Sequence, residues 1–149
     1  MGRNSGLVIA SGEYVTFCDS DDFVELNTYK TVYNTCIQKD LDICCFQHRR
    51  VALDGTPLNV ESQVEEKYFI GNENVYQFLL GIIGRNPEDK ESVTYSMSTC
   101  MALFRRERFI ATGIKFKSER TYASEDLIFM LDFLPFINSV AVSYTHLRA

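Results

Sequence analysis

Tyr14-Val-Thr-Phe-Cys18, running straight into Asp19-Ser-Asp21-Asp22, is the stretch on which the reading of this chain turns. The first five residues form a short apolar run, the pattern of a strand buried on both faces. Gly12 and Glu13 lead into it, and three carboxylates within four residues stand at its C-terminal end. Ligands of open α/β sheets gather beyond the carboxyl ends of the strands, which is where this cluster falls. Downstream, Leu26, Tyr29, Val32, Tyr33, Cys36 and Ile37 share one helical face between Glu25 and Gln38. Asp40 and Asp42 precede a second buried strand, Ile43-Cys-Cys-Phe46, and Asp54-Gly55 marks a hairpin turn within residues 46–61. Val75, Phe78, Leu79, Ile82 and Ile83 have helical spacing from Asn72 to the stop at Gly84. A polar loop follows over Arg85 to Glu91. Ser98 to Arg105 reads as a strand, Arg106 to Ala111 as a short helix, and Glu125 to Phe136 as a helix apolar nearly all round, hence buried. Ser139 to Ser143 reads as the last strand. Strands alternating with helices predict an α/β domain with a mostly parallel sheet and flanking helices.

Composition narrows the class of protein. The chain has 149 residues, 46% hydrophobic and 23% charged, enough for about one domain with its own core. This balance excludes disordered, collagenous and low-complexity chains, and no apolar run reaches the roughly 18 residues of a membrane span. Fifteen Lys and Arg against twenty Asp and Glu give a formal charge of −5, so no nucleic-acid partner is expected. Five cysteines without CxxC spacing suggest neither a disulfide framework nor a zinc knuckle, and reduced thiols point to a cytoplasmic setting. Met1 to Ala10 lacks the basic end and apolar core of a signal peptide.

Crowded carboxylates repel one another, and an ordered cluster calls for a counter-ion. Mg²⁺ or Mn²⁺ suits such oxygen ligands and is often shared with a substrate phosphate. The competing reading is a solvated turn in which Ser20, Asp21 or Asp22 caps the following helix. Phe23 and Val24 break the pattern of an EF-hand loop. A haloacid dehalogenase-type phosphatase is matched only in part, because Asp22 and Phe23 stand where that family has Gly and then Thr or Val. A glycosidase needs two carboxylates flanking a sugar bond, a distance the sequence does not contain.

Context separates these readings. Arg3-Asn-Ser-Gly-Leu7, then Ala10-Ser-Gly-Glu-Tyr14, then the strand ending in Asp19-Ser-Asp21-Asp22, resembles the family 2 glycosyltransferases of the GT-A fold. Gly2 replaces the Ala usual in that family. Met101-Ala-Leu-Phe-Arg105, Gly113-Ile-Lys-Phe116 and Ser124-Glu125-Asp126 before Leu127-Ile-Phe129 resemble its later segments, in the right order. Alone, Glu125-Asp126 also reads as charge complementing a helix N-terminus. The resemblance covers most of the chain and rests on the order of the motifs, not on the acidic motif alone.

What the resemblance implies is a metal-dependent, inverting transfer of a sugar from a nucleoside diphosphate sugar, a UDP-sugar first of all, to an acceptor hydroxyl. Asp19, Asp21, Asp22 and Arg3 are then expected on the donor, with Asp21 and Asp19 holding Mg²⁺ or Mn²⁺. Asp126 is expected as the base, and Glu125 as the group that holds the acceptor or the base. The implied acceptors are glycans or lipid-linked glycans of bacterial surface polysaccharide, made in the cytoplasm at the inner face of the membrane, with peripheral membrane association. A non-catalytic carbohydrate- or nucleotide-binding module is the alternative from another class.

The family's nucleotide-binding β-α-β-α-β half is not visible, so residues 1–143 are expected to be the C-terminal portion of a GT-A domain, a fragment with exposed sheet edges. The tail Val142 to Ala149 resembles translated adapter read-through, and 144–149 is expected to be non-native. His48 and His146 read as ordinary residues, Cys44-Cys45 as a pair alternating between strand faces, and Cys18 as a thiol with no activating His. Arg105-Arg-Glu-Arg108 reads as a solvated helix start, or as a contact for an anionic acceptor or membrane. Tyr68, Phe69 and Tyr76 read either as an acceptor platform or as core.

Overall fold

The computed structural model describes residues 2–49, 52, 56, 58, 66–84, 95–118 and 120–148, with 48, 49 and 144–148 described by their backbone only. The elements run α1 (Gly2–Ile9), β1 (Tyr14–Thr16), α2 (Thr28–Lys39), β2 (Ile43–Arg49), β3 (Lys67–Ile70), α3 (Asn72–Ile83), β4 (Ala102–Arg105), α4 (Arg106–Thr112), α5 (Glu125–Phe133) and β5 (Ser139–Arg148). Short 3₁₀ turns, Thr99–Met101 and Leu134–Phe136, precede β4 and follow α5. Most of the expected hairpin and the polar loop at 85–91 lie outside the described residues.

Among the described residues the strands form one sheet in the order β1-β4-β2-β5-β3. The expectation of a mostly parallel sheet is met only by β2 and β5; the β1–β4, β2–β4 and β3–β5 pairs are antiparallel. Alternating strands and helices count elements without giving direction. Here the Thr99–Met101 turn feeds β4 in at the end where β1 leaves, so β4 runs back between β1 and β2. The last strand is longer than expected, pairing as far as Arg148 with Arg49.

Strand alternation divides the core. Ile43, Ala102, Phe104, Val140 and Val142 face α3, α4 and α5, whereas Cys44, Phe46, Leu103 and Ala141 face Val32 and Cys36 of α2. Cys44 and Cys45 thus lie on opposite faces, as expected, and both remain free thiols. The first face is built from rings: Phe129 stacks on Phe116 at 4.2 Å and packs with Phe109 and Phe133. On α2 the apolar face is narrower than its spacing suggests. Val32 and Cys36 are buried, while Tyr33 and Ile37 are exposed and Leu26 precedes the helix in solvent.

Residue 81 shows how tightly the α3 side is packed. Tyr95 packs against both Phe69 and Phe78, its amide donates to the Gly81 carbonyl, and a Cβ at Gly81 would collide with its ring. Replacing a helix-interior Gly by Ala ordinarily stabilises by up to about 1 kcal/mol. Gly81→Ala is expected to reverse that sign and to destabilise by about 1–3 kcal/mol, the usual cost of overpacking. A melting temperature above wild type would contradict it.

The run Arg105 to Arg108 is not a solvated helix start. Asp42, almost fully buried, accepts a 2.8 Å bond from Arg108 Nε and a 2.7 Å bond from the Asn138 amide. Arg105 bonds Asp40 and the Leu41 carbonyl and lies over the Tyr14 ring. These arginines clamp the end of the sheet opposite the acidic turn, a role set by residues more than 60 positions away in sequence. The three aromatics of the supposed acceptor platform are also dispersed. Phe69 packs on Phe78, Tyr68 lies under Lys39, and Tyr76 lines an apolar groove beside Leu134 and Pro135.

Candidate active site

β1 ends at Thr16, and Phe17 then packs on Phe104, Phe109 and Phe116, which anchors the chain before the acidic turn. Within the turn the Asp22 amide donates to the Asp19 carbonyl at 3.2 Å. Asp19 and Asp21 are exposed and Asp22 is half-buried. The turn is therefore presented to solvent by a rigid aromatic base.

Arg3 of α1 faces it. Its Nη1 donates to Glu125 Oε1 at 2.8 Å and lies 3.2 Å from Asp126 Oδ1, while its Nη2 is 3.5 Å from Asp19 Oδ1. One guanidinium thus joins the acidic turn to the acidic pair at the start of α5. The sequence resemblance groups Arg3 with the donor-binding residues; the structure gives it three carboxylate partners. Beside it, Asn4 forms a reciprocal pair with the backbone of Phe116, Nδ2 donating to the carbonyl and Oδ1 accepting from the amide, both at 2.9 Å.

Asp126 is held on its other side by Thr99, whose amide donates to Oδ2 at 3.0 Å and whose hydroxyl donates to Oδ1 at 2.9 Å. The acidic pair does more than complement a helix dipole, because Asp126 is turned toward Thr99 and Arg3. Thr99 and Asn4 are the site-forming residues that the sequence reading passes over. Asn4 carries a signal, its place beside Arg3 in the quoted motif. Thr99 carries none, since it approaches Asp126 only through the tertiary fold.

The electrostatics follow from this geometry. Glu125 is held below the ordinary carboxylate range by a hydrogen bond from its own backbone amide and then by Arg3. Burial disfavours the Arg3 charge, but the bond to Glu125 and the charge of Asp126 outweigh it and raise its pKa. Burial pushes the Cys100 thiol up to about 11 against the opposing pull of Arg3, so this cysteine is neutral at physiological pH. Arg3, Asp19, Lys117, Arg120 and Glu125 border an open polar cavity of about 840 Å³, a size suited to a small charged ligand.

Among the described residues no three His, Cys, Asp or Glu side chains form a metal cage. A Mg²⁺ or Mn²⁺ ion shared with a diphosphate needs only one or two protein carboxylates, and the exposed oxygens of Asp19 and Asp21 fit that donor set.

A mixed α/β sheet with an acidic turn at a strand end, joined to a second acidic pair beside a polar cavity, matches the GT-A architecture. The chain belongs to the glycosyl transferase family 2, whose family model matches residues 2–111. That match contains the acidic turn, and the Glu125-Asp126 pair lies beyond it. It also sets aside the partial likeness to phosphatases. The chain is 44% identical over 41 residues to the glycosyltransferase GlyG of Streptococcus pneumoniae, a match spanning 28% of this chain and 14% of that protein. It is 40% identical over 43 residues to the uncharacterized glycosyltransferase YibD of Escherichia coli, spanning 29% of this chain and 12% of the relative. The fold superimposes on Staphylococcus aureus TarS 1–349 with a TM-score of 0.70 at 20% identity, covering 99% of this chain and 38% of that one. TarS 1–349 in complex with UDP-GlcNAc gives 0.67 at 20% identity, with 99% and 37% covered. The chain therefore spans well under half the length of these relatives.

Proposed function

We propose that this chain carries the acidic turn and the acceptor-side acids of an inverting, metal-dependent glycosyltransferase. Its donor is a nucleoside diphosphate sugar, UDP-linked first of all, and its acceptor is a hydroxyl of a glycan or lipid-linked glycan in bacterial surface polysaccharide synthesis. The observation that carries this reading is the meeting of Asp19 with Glu125 and Asp126 on Arg3 beside one polar cavity. The complex of TarS with UDP-GlcNAc supports the choice of donor.

The acceptor oxygen attacks the anomeric carbon as the bond to the diphosphate breaks on the opposite face. The hydroxyl proton passes to Asp126, since a positioned carboxylate is what a weak hydroxyl nucleophile requires. Each carboxylate oxygen offers two lone pairs, so holding Thr99 leaves Asp126 able to accept that proton. Glu125 orients the acceptor or the base, and Asp19, Asp21 and Asp22 serve the donor side. Asp21 and Asp19 hold the divalent ion, which when bound stabilises charge on the leaving nucleoside diphosphate. No helix among the described residues is long and apolar enough to cross a membrane. The proposed site of action is the inner membrane face, reached through peripheral association.

Metal removal and Asp21→Ala test the donor side. In the full natural gene product, chelation by EDTA is expected to stop transfer from a UDP-sugar and Mn²⁺ to restore it. Asp21→Ala is expected to lower transfer by about 100-fold or more, the scale of several kcal/mol of leaving-group stabilisation. Full activity after either treatment overturns the metal role. Donor binding by the wild type without any transfer favours the binding module.

A further inference from the structure

We infer that Arg3 is a positioning residue for the acceptor-side acids and not a ligand of the donor diphosphate, an inference that rests on the transferase reading above. The guanidinium presents a planar fork of donors, and its terminal nitrogens are already directed at acids. Nη1 is shared by Glu125 and Asp126, and Nη2 lies 3.5 Å from Asp19 and 3.8 Å from Cys100 Sγ. Three carboxylates around one cation leave a net charge of −2 (one positive, three negative). The divalent ion proposed on Asp19 and Asp21 would supply the positive charge a diphosphate needs without Arg3 leaving its acids. Turning Arg3 toward a diphosphate would also leave Glu125 and Asp126, both half-buried, without the cation they share.

The mounting of the side chain supports the same role. The Arg3 guanidinium lies 5.5 Å from the centre of the Phe116 ring, which stacks in turn on Phe129 of α5. α1 has no fully buried residue, and it is tied to the domain through Leu7, which packs against the core, through the Asn4–Phe116 hydrogen bonds and through Arg3. Arg3 and the acids it holds are therefore fixed to the same aromatic column. Such a mounting suits a group that keeps two others in place, and it leaves the cavity wall at Lys117 and Arg120 to meet incoming anions.

The test separates affinity from turnover in the full natural gene product. Arg3→Ala is expected to lower kcat by about 10- to 100-fold, the scale of a misplaced catalytic group. UDP affinity, titrated by calorimetry with Mn²⁺ present, is expected to change by no more than about fivefold, because Arg3 reaches the donor side only through its 3.5 Å contact with Asp19. Arg3→Lys keeps the charge without the fork and is expected to recover part of kcat. In a double-mutant cycle with Glu125→Gln, the two changes are expected to be strongly non-additive in kcat and in melting temperature. A tenfold or greater loss of UDP affinity with kcat unchanged, or strict additivity in the cycle, overturns the inference. The melting cycle and the UDP titration read Arg3 even where transfer is not detected. Absence of transfer by the wild type therefore sinks the transferase reading alone.

Discussion

Asp126→Asn is expected to lower kcat by about 10²- to 10⁴-fold, the usual contribution of a general base. The substitution keeps the size of the side chain but removes its capacity to take the acceptor proton. It also places an amide NH₂ where the carboxylate meets donors on both sides, the Thr99 amide and hydroxyl and the Arg3 guanidinium. Whichever way the amide turns, one donor faces another, and some stability is lost with the activity. Thermal melting separates the two effects, since a folded variant without turnover isolates the chemical role. UDP affinity is expected to change little if Asp126 serves the acceptor, as proposed. Retention of kcat within about tenfold of wild type would remove Asp126 as the base, because general-base loss ordinarily exceeds that.

The second large effect lies at the other end of the sheet and concerns stability. Asp42→Ala is expected to destabilise the fold by about 3 kcal/mol, the low end of the cost of breaking a buried ion pair. The Asp42 side chain is only 3% exposed and is the shared partner of Arg105 and Arg108. Removing it leaves two arginines without that partner and the Asn138 amide without its acceptor. Arg108 reaches solvent and can be rehydrated, which keeps the loss from the top of the range. Set against a total stability of about 5–15 kcal/mol, this is a large fraction. The urea midpoint measures it, and KM for the donor is expected to stay unchanged in the folded fraction. A midpoint equal to wild type would show that the pairs contribute nothing net.

The two substitutions differ in how visible their targets are in the sequence. Asp126 is marked by its neighbour Glu125, by the apolar helix behind it and by the order of the earlier motifs. Asp42 shows only as an acid before a strand, because its partners Arg105, Arg108 and Asn138 are between 63 and 96 residues away. The same contrast runs through the site. The acidic turn is legible because an apolar strand and three clustered carboxylates are local patterns. The Thr99 clamp on Asp126 is not, since it joins residues 27 apart and no local preference places that turn against α5.

By itself the sequence determined some of the elements and faces, though not β3 over Lys67–Ile70 or the 3₁₀ turn before β4: α3 runs from Asn72 to Ile83 as its spacing requires, and Cys44 and Cys45 part to opposite sides of β2. Periods of 3.6 and 2 are properties of a single segment, and burial acts on them directly. Only the tertiary structure decided which way β4 runs, which part of α2 is covered, that Arg105 and Arg108 clamp Asp42, and that Arg3 gathers Asp19, Glu125 and Asp126. Each of these depends on which distant segment arrives as neighbour, and a periodic pattern shows that a face will be covered without naming what covers it.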